Sequence, residues 1–379
     1  MHRLVGVVLL AALLGGCEAA TSGSPGQAPY ALTVPEGFPA PKVPAHNPMS
    51  EAKIELGRFL FYEPRLSKNE DVSCGTCHVQ SRAFTDGRAR SPGTTGEETT
   101  RNAMSLTNVA YNPRQTWANP LLAELEHQVP MPLFGEAPVE MGMAGREKVL
   151  LGRLADDPRY PPLFAAAFPE EPDPVNLDNI AKAVATFERT LISGDAPYDR
   201  FVNGDPTALS ESAQRGFALF MSERLECFHC HGGFNFSDSV DHEGSISAEL
   251  AFHNTGLYNV DGGYPKGEQG LFEITDEPAD RGRFRAPTLR NVAVTAPYMH
   301  DGSIATLDAV IDHYAHGGRT LSEGPHAGVG ADNPLKSKFV SGFVLSAAER
   351  ADLLAFLESL TDSTFLTDPR FSDPFAPAE

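Results

Sequence analysis

The chain has 379 residues, of which 41% are hydrophobic, so it is long enough to bury a substantial core in about two domains. Its 30 Lys and Arg residues against 50 Asp and Glu residues give a formal net charge of −20. This charge argues against a nucleic-acid partner, which requires a basic surface, and against docking on anionic lipid head groups.

The N-terminal segment indicates export. Arg3 supplies a positive charge, and residues 4–14 are apolar but fewer than the ~20 needed to span a bilayer, which is typical of a signal peptide. The segment ends in Leu-Gly-Gly-Cys at Cys17, which resembles a bacterial lipobox, and the alternative is an ordinary signal peptide with a stray cysteine. We expect a periplasmic protein whose only membrane attachment is a lipid anchor on Cys17.

Four of the five cysteines form two C-x-x-C-H motifs. This motif is typical of c-type haem attachment, in which two thiols add to the haem vinyl groups and the adjacent His is the proximal iron ligand. A redox dithiol or half of a zinc site would explain one motif, but two complete motifs in an exported chain favour two covalent haems. The predicted attachment residues are Cys74, Cys77 and His78 for the first haem, and Cys227, Cys230 and His231 for the second.

Helical patterns surround both motifs. A weak internal repeat, GRFLF at 57–61 and GFALF at 216–220, precedes each motif and indicates two related units with one haem each. One helical face is formed by Ile180, Val184, Phe187 and Leu191, and a capping box at Ser346 starts a terminal core helix over 346–361. The predicted fold is all-α, with two cytochrome c-like helical domains, long loops and few short strands. The predicted segments are a signal peptide at 1–16, a lipidated Cys and flexible tether at 17–45, haem domains at 46–205 and 206–365, and a tail at 366–379.

Two longer stretches resemble a known family. Residues 283–302 (RFRAPTLRNVAVTAPYMHDG) are similar to the signature of the bacterial dihaem cytochrome c peroxidase superfamily, which includes MauG and MbnH, and residues 101–111 (RNAMSLTNVAY) resemble a second block of it. The resemblance extends from about residue 46 to 361 and implies a haem peroxidase that uses hydrogen peroxide. Residues 253–257 and 299–307 look most like the MbnH branch, which oxidises a tryptophan of a partner protein to kynurenine.

The resemblance implies that the two haems differ in their sixth ligand. Classical members carry a Met fourteen residues after the His of the His-Asp-Gly turn, whereas this chain has Tyr314 there, as MauG-type members do. Tyr314 is therefore expected to ligate the second iron, and the alternative is a core Tyr with a satisfied hydroxyl. Many classical members cap the first iron with a His sixteen residues after the proximal one, and Thr94 stands there in this chain. The first haem is therefore expected to be five-coordinate and open to peroxide.

The remaining site residues are also implied by the resemblance. Glu140 is the expected distal base with Gln128 as its polar neighbour, and Glu136 and His127 are rivals because the segment is about two residues longer than in classical members. Each of these could instead be a solvated loop residue. Trp117 is expected to relay charge between the haems. The implied ligands of a calcium ion between the haems are Asn102, Thr295 and Pro297.

These features predict an exported dihaem peroxidase. In the leading hypothesis, peroxide reacts at the first haem, the oxidising equivalents are shared with the second haem as a high-valent state, and a partner protein is oxidised. One alternative is a conventional peroxidase that takes electrons from a small cytochrome or cupredoxin. The other is a non-catalytic dihaem electron carrier.

Overall fold

The computed structural model describes residues 30–248 and 250–376. The predicted signal peptide, Cys17 and the first part of the predicted tether lie outside these residues. Within the described ranges, the helices are α1 Glu51–Phe61, α2 Cys74–Cys77, α3 Leu125–Gln128, α4 Pro130–Phe134, α5 Glu147–Asp156, α6 Tyr160–Ala167, α7 Leu177–Glu188, α8 Pro197–Val202, α9 Glu211–Phe220, α10 Phe228–His231, α11 Phe272–Thr275, α12 Leu307–Ala315 and α13 Ala347–Glu358. The strands are β1 Phe252–His253, β2 Phe284–Arg285, β3 Thr320–Leu321 and β4 Gly328–Val329.

The fold is rich in helices, as predicted. Its strands are two residues long and form two antiparallel pairs, β1 with β2 and β3 with β4. Long loops connect the helices and carry much of the chain. In the part of the chain that the structure describes, no helix is both long and apolar enough to cross a lipid bilayer.

The internal repeat corresponds to the same helix crossing at two places. α1 crosses α7 at Gly57, where an added Cβ would lie 2.0 Å from the carbonyl oxygen of Ala183. α9 crosses α13 at Gly216, where an added Cβ would lie 1.9 Å from the carbonyl oxygen of Asp352. Because no side chain fits at either distance, glycine is required at both crossings. Each crossing brings the helix that precedes a C-x-x-C-H motif against a later helix.

The first hydrophobic core surrounds the α1–α7 crossing. Ile180, Val184 and Phe187 of α7 are fully buried, which confirms the predicted helical face. Leu191 is also fully buried, although α7 ends three residues before it. The buried side chains that α1 contributes to this core are Leu56, Leu60 and Phe61.

The second core surrounds the α9–α13 crossing. The rings of Phe220, Phe236 and Phe356 pack against one another there, with centroid separations of 5.1 to 6.1 Å. α13 begins after the predicted cap, because the Ser346 hydroxyl accepts from the Glu349 backbone N–H. The helix ends at Glu358, three residues before the predicted end, where the chain tightens into a turn.

α8 packs with the second core, although the predicted boundary at residue 205 assigns it to the first unit. The ring of Tyr198 lies edge-on to those of Phe236 and Phe356, at 5.0 and 5.9 Å. The next residue, Asp199, forms a buried bidentate ion pair with Arg290 at 2.8 and 2.9 Å. These contacts place the change from one core to the other before α8 rather than after it.

The last part of the predicted tether is packed rather than free. The Phe38 ring lies 5.0 Å from the ring of Phe234, edge-on, and 4.5 Å below the guanidinium of Arg290. An aromatic side chain with these partners gains burial and a cation–π contact, so its segment is held on the body. The prediction of a flexible segment over 17–45 is therefore wrong for the residues around Phe38.

The chain end returns to the first core. Phe365 and Phe371 are both buried in it, and the Tyr62 hydroxyl donates to the Phe371 carbonyl oxygen at 2.7 Å. The described part of the predicted 366–379 tail is therefore docked against α1.

Candidate active site

The first C-x-x-C-H motif forms a short capped helix. Ser73 caps α2, and its backbone N–H donates to the Thr76 hydroxyl at 3.0 Å. His78 follows directly, and its Nδ1 donates to the carbonyl oxygen of Phe84 at 2.7 Å. This bond fixes the ring and its tautomer, and it leaves Nε2 as the nitrogen that could bind a metal.

The second motif repeats this arrangement. His231 closes α10, and its Nδ1 donates to the carbonyl oxygen of Phe236 at 3.1 Å. Both acceptor residues have left-handed backbones, with φ of +62° at Phe84 and +48° at Phe236. Positive φ is unfavourable for a bulky side chain and is retained where the surroundings enforce it. The burial of both Phe rings holds the backbone in this conformation. Both proximal histidines are therefore oriented in the same way, by a hydrogen bond to the carbonyl oxygen of a buried Phe.

The first cavity contains the first motif and the predicted peroxide-binding residues. Its volume is about 260 Å³, close to the lower end of the ~300–1,000 Å³ that is typical of small-molecule sites. Its wall includes the residues of the first motif and several other candidate functional residues, namely Cys74, Cys77, His78, Trp117, Gln128, Glu140 and Glu188. The structure therefore brings together the predicted proximal ligand, the predicted base and its polar neighbour.

Glu140 is distinguished from its predicted rivals by position. It lines the cavity, and burial raises the pKa of its carboxyl. Glu136 is exposed and His127 has 69% of its side chain exposed, and neither lines this cavity. A carboxyl of raised pKa inside the pocket suits proton transfer better than a solvated one does.

Thr94 has a local structural task. Its backbone N–H donates to the Glu140 carbonyl oxygen at 2.7 Å, which ties the Glu140 loop to the body. Its hydroxyl donates to Asp71 at 2.6 Å. Thr94 does not line the first cavity, so its side chain offers no ligand there.

The second cavity contains the second motif and Tyr314. Its volume is about 220 Å³. Leu307, Val310, Ile311 and Tyr314 all line it, which confirms that they share one face of α12. Among the described residues, the Tyr314 hydroxyl has no hydrogen-bond partner, unlike that of a satisfied core Tyr.

The surroundings of Tyr314 favour a neutral phenol. Burial, followed by the nearby Cys230 and Cys227 thiols, raises the pKa of Tyr314. The phenolate form therefore requires a positive charge in the cavity, and a ferric iron would provide one. The neighbouring His313 does not line the cavity, and burial lowers its pKa to about 4.

Trp117 lies between the two cavities and lines both of them. Its indole N–H donates to the Asn102 carbonyl oxygen at 2.9 Å, and its own carbonyl oxygen accepts from the Arg285 backbone N–H at 2.8 Å. The first bond fixes the indole ring to residue 102, and the second fixes the Trp117 backbone to residue 285. A role of Trp117 as a relay between two cofactors stays a prediction.

The predicted calcium ligands line one cavity. Asn102, Thr295 and Pro297 all line the second cavity, and Asn102 lines the first as well. The Asn102 side-chain N–H donates to the Arg88 carbonyl oxygen at 2.6 Å, which leaves Oδ1 for another partner. Within the described residues, no hydrogen bond is donated to this Oδ1 or to the carbonyl oxygens of Thr295 and Pro297. Free amide and carbonyl oxygens of this kind suit a hard cation.

Comparison with known proteins identifies the family. A family model described as di-haem cytochrome c peroxidase matches residues 51–207. The chain is 37% identical to the methylamine utilization protein MauG of Methylorubrum extorquens, over 86% of this chain and 82% of that protein. It is 34% identical to the cytochrome c551 peroxidase of Pseudomonas aeruginosa, over 70% of this chain and 72% of that protein. The chain belongs to the dihaem cytochrome c peroxidase family.

A solved structure agrees with this result. The crystal structure of a MauG-like protein associated with microbial copper homeostasis is 48% identical and has a TM-score of 0.89, over 92% of this chain and 100% of that one. A dihaem cytochrome c peroxidase is a peroxidase-type oxidoreductase with two c-type haems. The recognition made from residues 283–302 and 101–111 is therefore confirmed.

The residues of both cavities fit the two haems that the family implies. Each cavity has a pair of thiols and an oriented imidazole on its wall. A further residue, which the sequence analysis missed, points to an anion in the second cavity. Arg285 is 2% exposed, and its guanidinium donates to Asn112 Oδ1 and the Thr116 carbonyl oxygen.

Arg285 has no carboxylate within ion-pair distance among the described residues, and burial lowers the pKa of its guanidinium to about 10. A buried cation without an anion is costly, and a haem propionate would be a suitable partner. The signal in the sequence was an Arg between Phe284 and Ala286, but a pattern of residue types does not show which charges remain unpaired.

Proposed function

We propose that this protein is an exported dihaem peroxidase that reduces hydrogen peroxide at the first haem, shares the oxidising equivalents with the second haem and oxidises a partner protein. The single observation that carries this proposal is the position of Trp117, which lines both cavities. One of these cavities holds the carboxyl of Glu140 and the side-chain amide of Gln128, and the other holds the unpartnered hydroxyl of Tyr314. A protein with two equivalent electron-carrying haems would not need a carboxyl and an amide in one cavity and a free phenol hydroxyl in the other.

The first cavity is proposed to carry out the peroxide chemistry. The bound haem supplies the redox centre, with His78 as its proximal ligand. Glu140 accepts a proton from one peroxide oxygen and returns it to the leaving oxygen, and its raised pKa suits both directions of transfer. Gln128 contributes a side-chain amide that orients the peroxide by hydrogen bonding.

The second cavity is proposed to store charge. His231 and Tyr314 lie on its wall and would hold the iron of the second haem, and the unpaired guanidinium of Arg285 would be available to an anionic group of the haem. A tyrosine oxygen is a hard, anionic ligand that favours oxidised iron. Trp117 would carry the charge between the haems, and a calcium ion on Asn102, Thr295 and Pro297 would stabilise the junction between them.

The proposal also covers the division of the chain into two haem units and the location of the protein. We assign one haem unit to each helix crossing, over residues 46–196 and 197–365, with α8 in the second unit. We also assign the protein to the periplasmic side of the envelope, with residues 1–16 as signal peptide and a lipid on Cys17. Mass spectrometry of the mature N-terminus would test the lipid directly.

The substrate is proposed to be a protein. The similarity to a MauG-like protein associated with copper homeostasis, at 48% identity over the whole of that chain, favours the MauG-like branch. In the MbnH-like form of the hypothesis, a tryptophan of the partner protein is oxidised to kynurenine. The similarity to a cytochrome c551 peroxidase supports the conventional alternative, in which a small cytochrome or cupredoxin donates electrons.

The test uses purified holoprotein with both haems oxidised. Hydrogen peroxide is added without a reductant, and the absorption spectrum is followed by stopped flow. Glu140→Gln is expected to slow the spectral change by ~10²-fold or more, because general acid–base catalysis contributes about that much. Glu136→Gln removes a nearby exposed carboxylate as the matched control and should react at the wild-type rate. An unreactive wild-type protein with a six-coordinate first haem would support the non-catalytic carrier instead.

A further inference from the structure

Glu188 is a buried carboxyl group in the first cavity that the proposed chemistry does not yet use. It is the last residue of α7, it is 5% exposed, and it lies on the cavity wall. Its Oε2 is inaccessible to solvent and has no hydrogen-bond or ion-pair partner among the described residues. An ionised carboxylate in such a place would carry a large desolvation cost.

The nearest cation is already used by another acid. Arg189 forms a buried ion pair with Glu126 of α3 at 2.6 Å, and the Asn47 side-chain N–H donates to the same carboxylate at 2.7 Å. This ion pair uses Nη2 of Arg189, and Nη1 of Arg189 has no hydrogen-bond partner among the described residues. In the part of the chain that the structure describes, no ion pair within 4 Å joins Arg189 to Glu188, so Glu188 is offset only by the more distant charge of Arg189.

Burial and the neighbouring charged groups together raise the pKa of Glu188. Burial has the largest effect and raises the pKa of Glu188, Arg189 opposes it, and Glu126 adds to it, so that the pKa reaches about 8. On α2, burial first and then the charges of Glu188, Cys77 and Glu140 raise the pKa of Cys74. Cys74, Glu140 and Glu188 line the same cavity. Cys74 itself does not titrate once it forms a thioether to haem.

We propose that Glu188 is the proton-holding acid of the first cavity, a neutral carboxyl that delivers a proton consumed in peroxide reduction. This inference rests on the proposed function. The overall reaction is H2O2 + 2 e− + 2 H+ → 2 H2O, with the two electrons supplied by the partner protein, which is thereby oxidised, or by a reduced small redox protein.

The balance of protons gives Glu188 a role distinct from that of Glu140. Glu140 moves a proton from one peroxide oxygen to the other and is unchanged at the end, so it contributes none of the two protons consumed. Glu188 breaks its O–H bond, gives that proton to the oxygen being reduced, and becomes a carboxylate. It recovers a proton from solvent before the next turnover.

The first test is whether Glu188 is neutral in the folded holoprotein. Infrared spectroscopy at pH 6 to 7 distinguishes the C=O stretch of a protonated carboxyl from carboxylate bands. The band is expected in the wild type and in Glu136→Gln, and it should be absent in Glu188→Gln, where an amide of nearly the same shape replaces the acid. A spectrum of Glu188→Gln with an unchanged protonated-carboxyl band would overturn the proposal. This readout does not depend on peroxidase activity.

The second test measures turnover with peroxide and an artificial electron donor. Glu188→Gln is expected to lower kcat by about 10-fold or more at pH 7, with peroxide binding retained. The wild-type kcat should fall as pH rises through about 8, where Glu188 loses its proton, and the variant should lack this limb. An active wild type and an equally active Glu188→Gln would refute the role of Glu188 and leave the proposed function standing. A wild type that does not reduce peroxide would refute the proposed function, while the infrared band still decides whether Glu188 is protonated.

Discussion

Replacing Gly57 by Ala should separate α1 from α7 and destabilise the first haem unit. The added Cβ would lie 2.0 Å from the Ala183 carbonyl oxygen, 2.7 Å from its carbonyl carbon and 2.9 Å from Phe187 Cβ. Carbon and oxygen atoms approach to ~3.3 Å at closest in proteins, so the helices must move apart by about 1.3 Å. A flexible side chain could yield, but the atoms in the way belong mainly to the backbone of a buried helix.

The expected cost follows from this displacement. When packed atoms are separated by a further ~0.5–1 Å, they lose a quarter to a half of their van der Waals attraction. Substitutions that overpack a core typically lower the free energy of unfolding by ~1–3 kcal/mol, occasionally more. Alanine recovers ~1 kcal/mol through its better helix propensity. We therefore expect the free energy of unfolding to fall by about 2 kcal/mol, measured from the midpoint and slope of guanidinium unfolding of the holoprotein.

Gly152→Ala is the matched control. Gly152 is also in a helix, α5, but an added Cβ there meets nothing within 4 Å, so only the propensity gain of ~0.5–1 kcal/mol remains. The two substitutions should thus change stability in opposite directions. If Gly57→Ala were as stable as Gly152→Ala, the helix crossing would not be as close as described. Gly216→Ala should repeat the Gly57 result and disturb the spectrum of the second haem rather than the first.

Three further substitutions test individual contacts. For Glu188, the folded-state pKa of about 8 lies above the ordinary 4.5, so wild-type stability falls as pH rises from 4.5 to 8. Glu188→Gln should therefore be more stable than wild type by about 3 kcal/mol at pH 7 and equally stable at pH 4, in guanidinium unfolding at each pH. Asp199→Asn leaves the buried Arg290 guanidinium unpaired and should cost ~3–5 kcal/mol in the same assay. Trp117→Phe should leave both haems attached and slow the response of the second haem to peroxide, followed by stopped-flow spectroscopy.

Local sequence patterns were sufficient for the motifs and for several helices. The two C-x-x-C-H motifs and the Ser346 capping box each lie within a few consecutive residues. The buried face of α7 follows from the spacing of its apolar residues alone. The resemblance to a family added Glu140, Trp117 and Tyr314, and the structure places all three on cavity walls. Their roles remain proposals until they are tested.

Long-range contacts could not be predicted in the same way. Glu188 and Glu126 look equivalent in the sequence, and only the folded chain shows that Arg189 pairs with Glu126. Phe38 appeared to belong to a flexible segment because its neighbours are Pro and Gly, but Phe234 and Arg290, which it contacts, lie 196 and 252 residues further along the chain. Both cases depend on which distant groups the fold brings together.

The central claim is that the two haems are unequal, with an open first haem and a second haem ligated by Tyr314. Electron paramagnetic resonance of the oxidised holoprotein, before and after one equivalent of hydrogen peroxide, tests it most directly. We predict a high-spin five-coordinate first haem before peroxide and a loss of both ferric signals afterwards that persists until a donor is added. Tyr314→His should keep both haems attached and lose the response of the second haem. A low-spin six-coordinate first haem, or an identical peroxide response in Tyr314→His, would contradict the account.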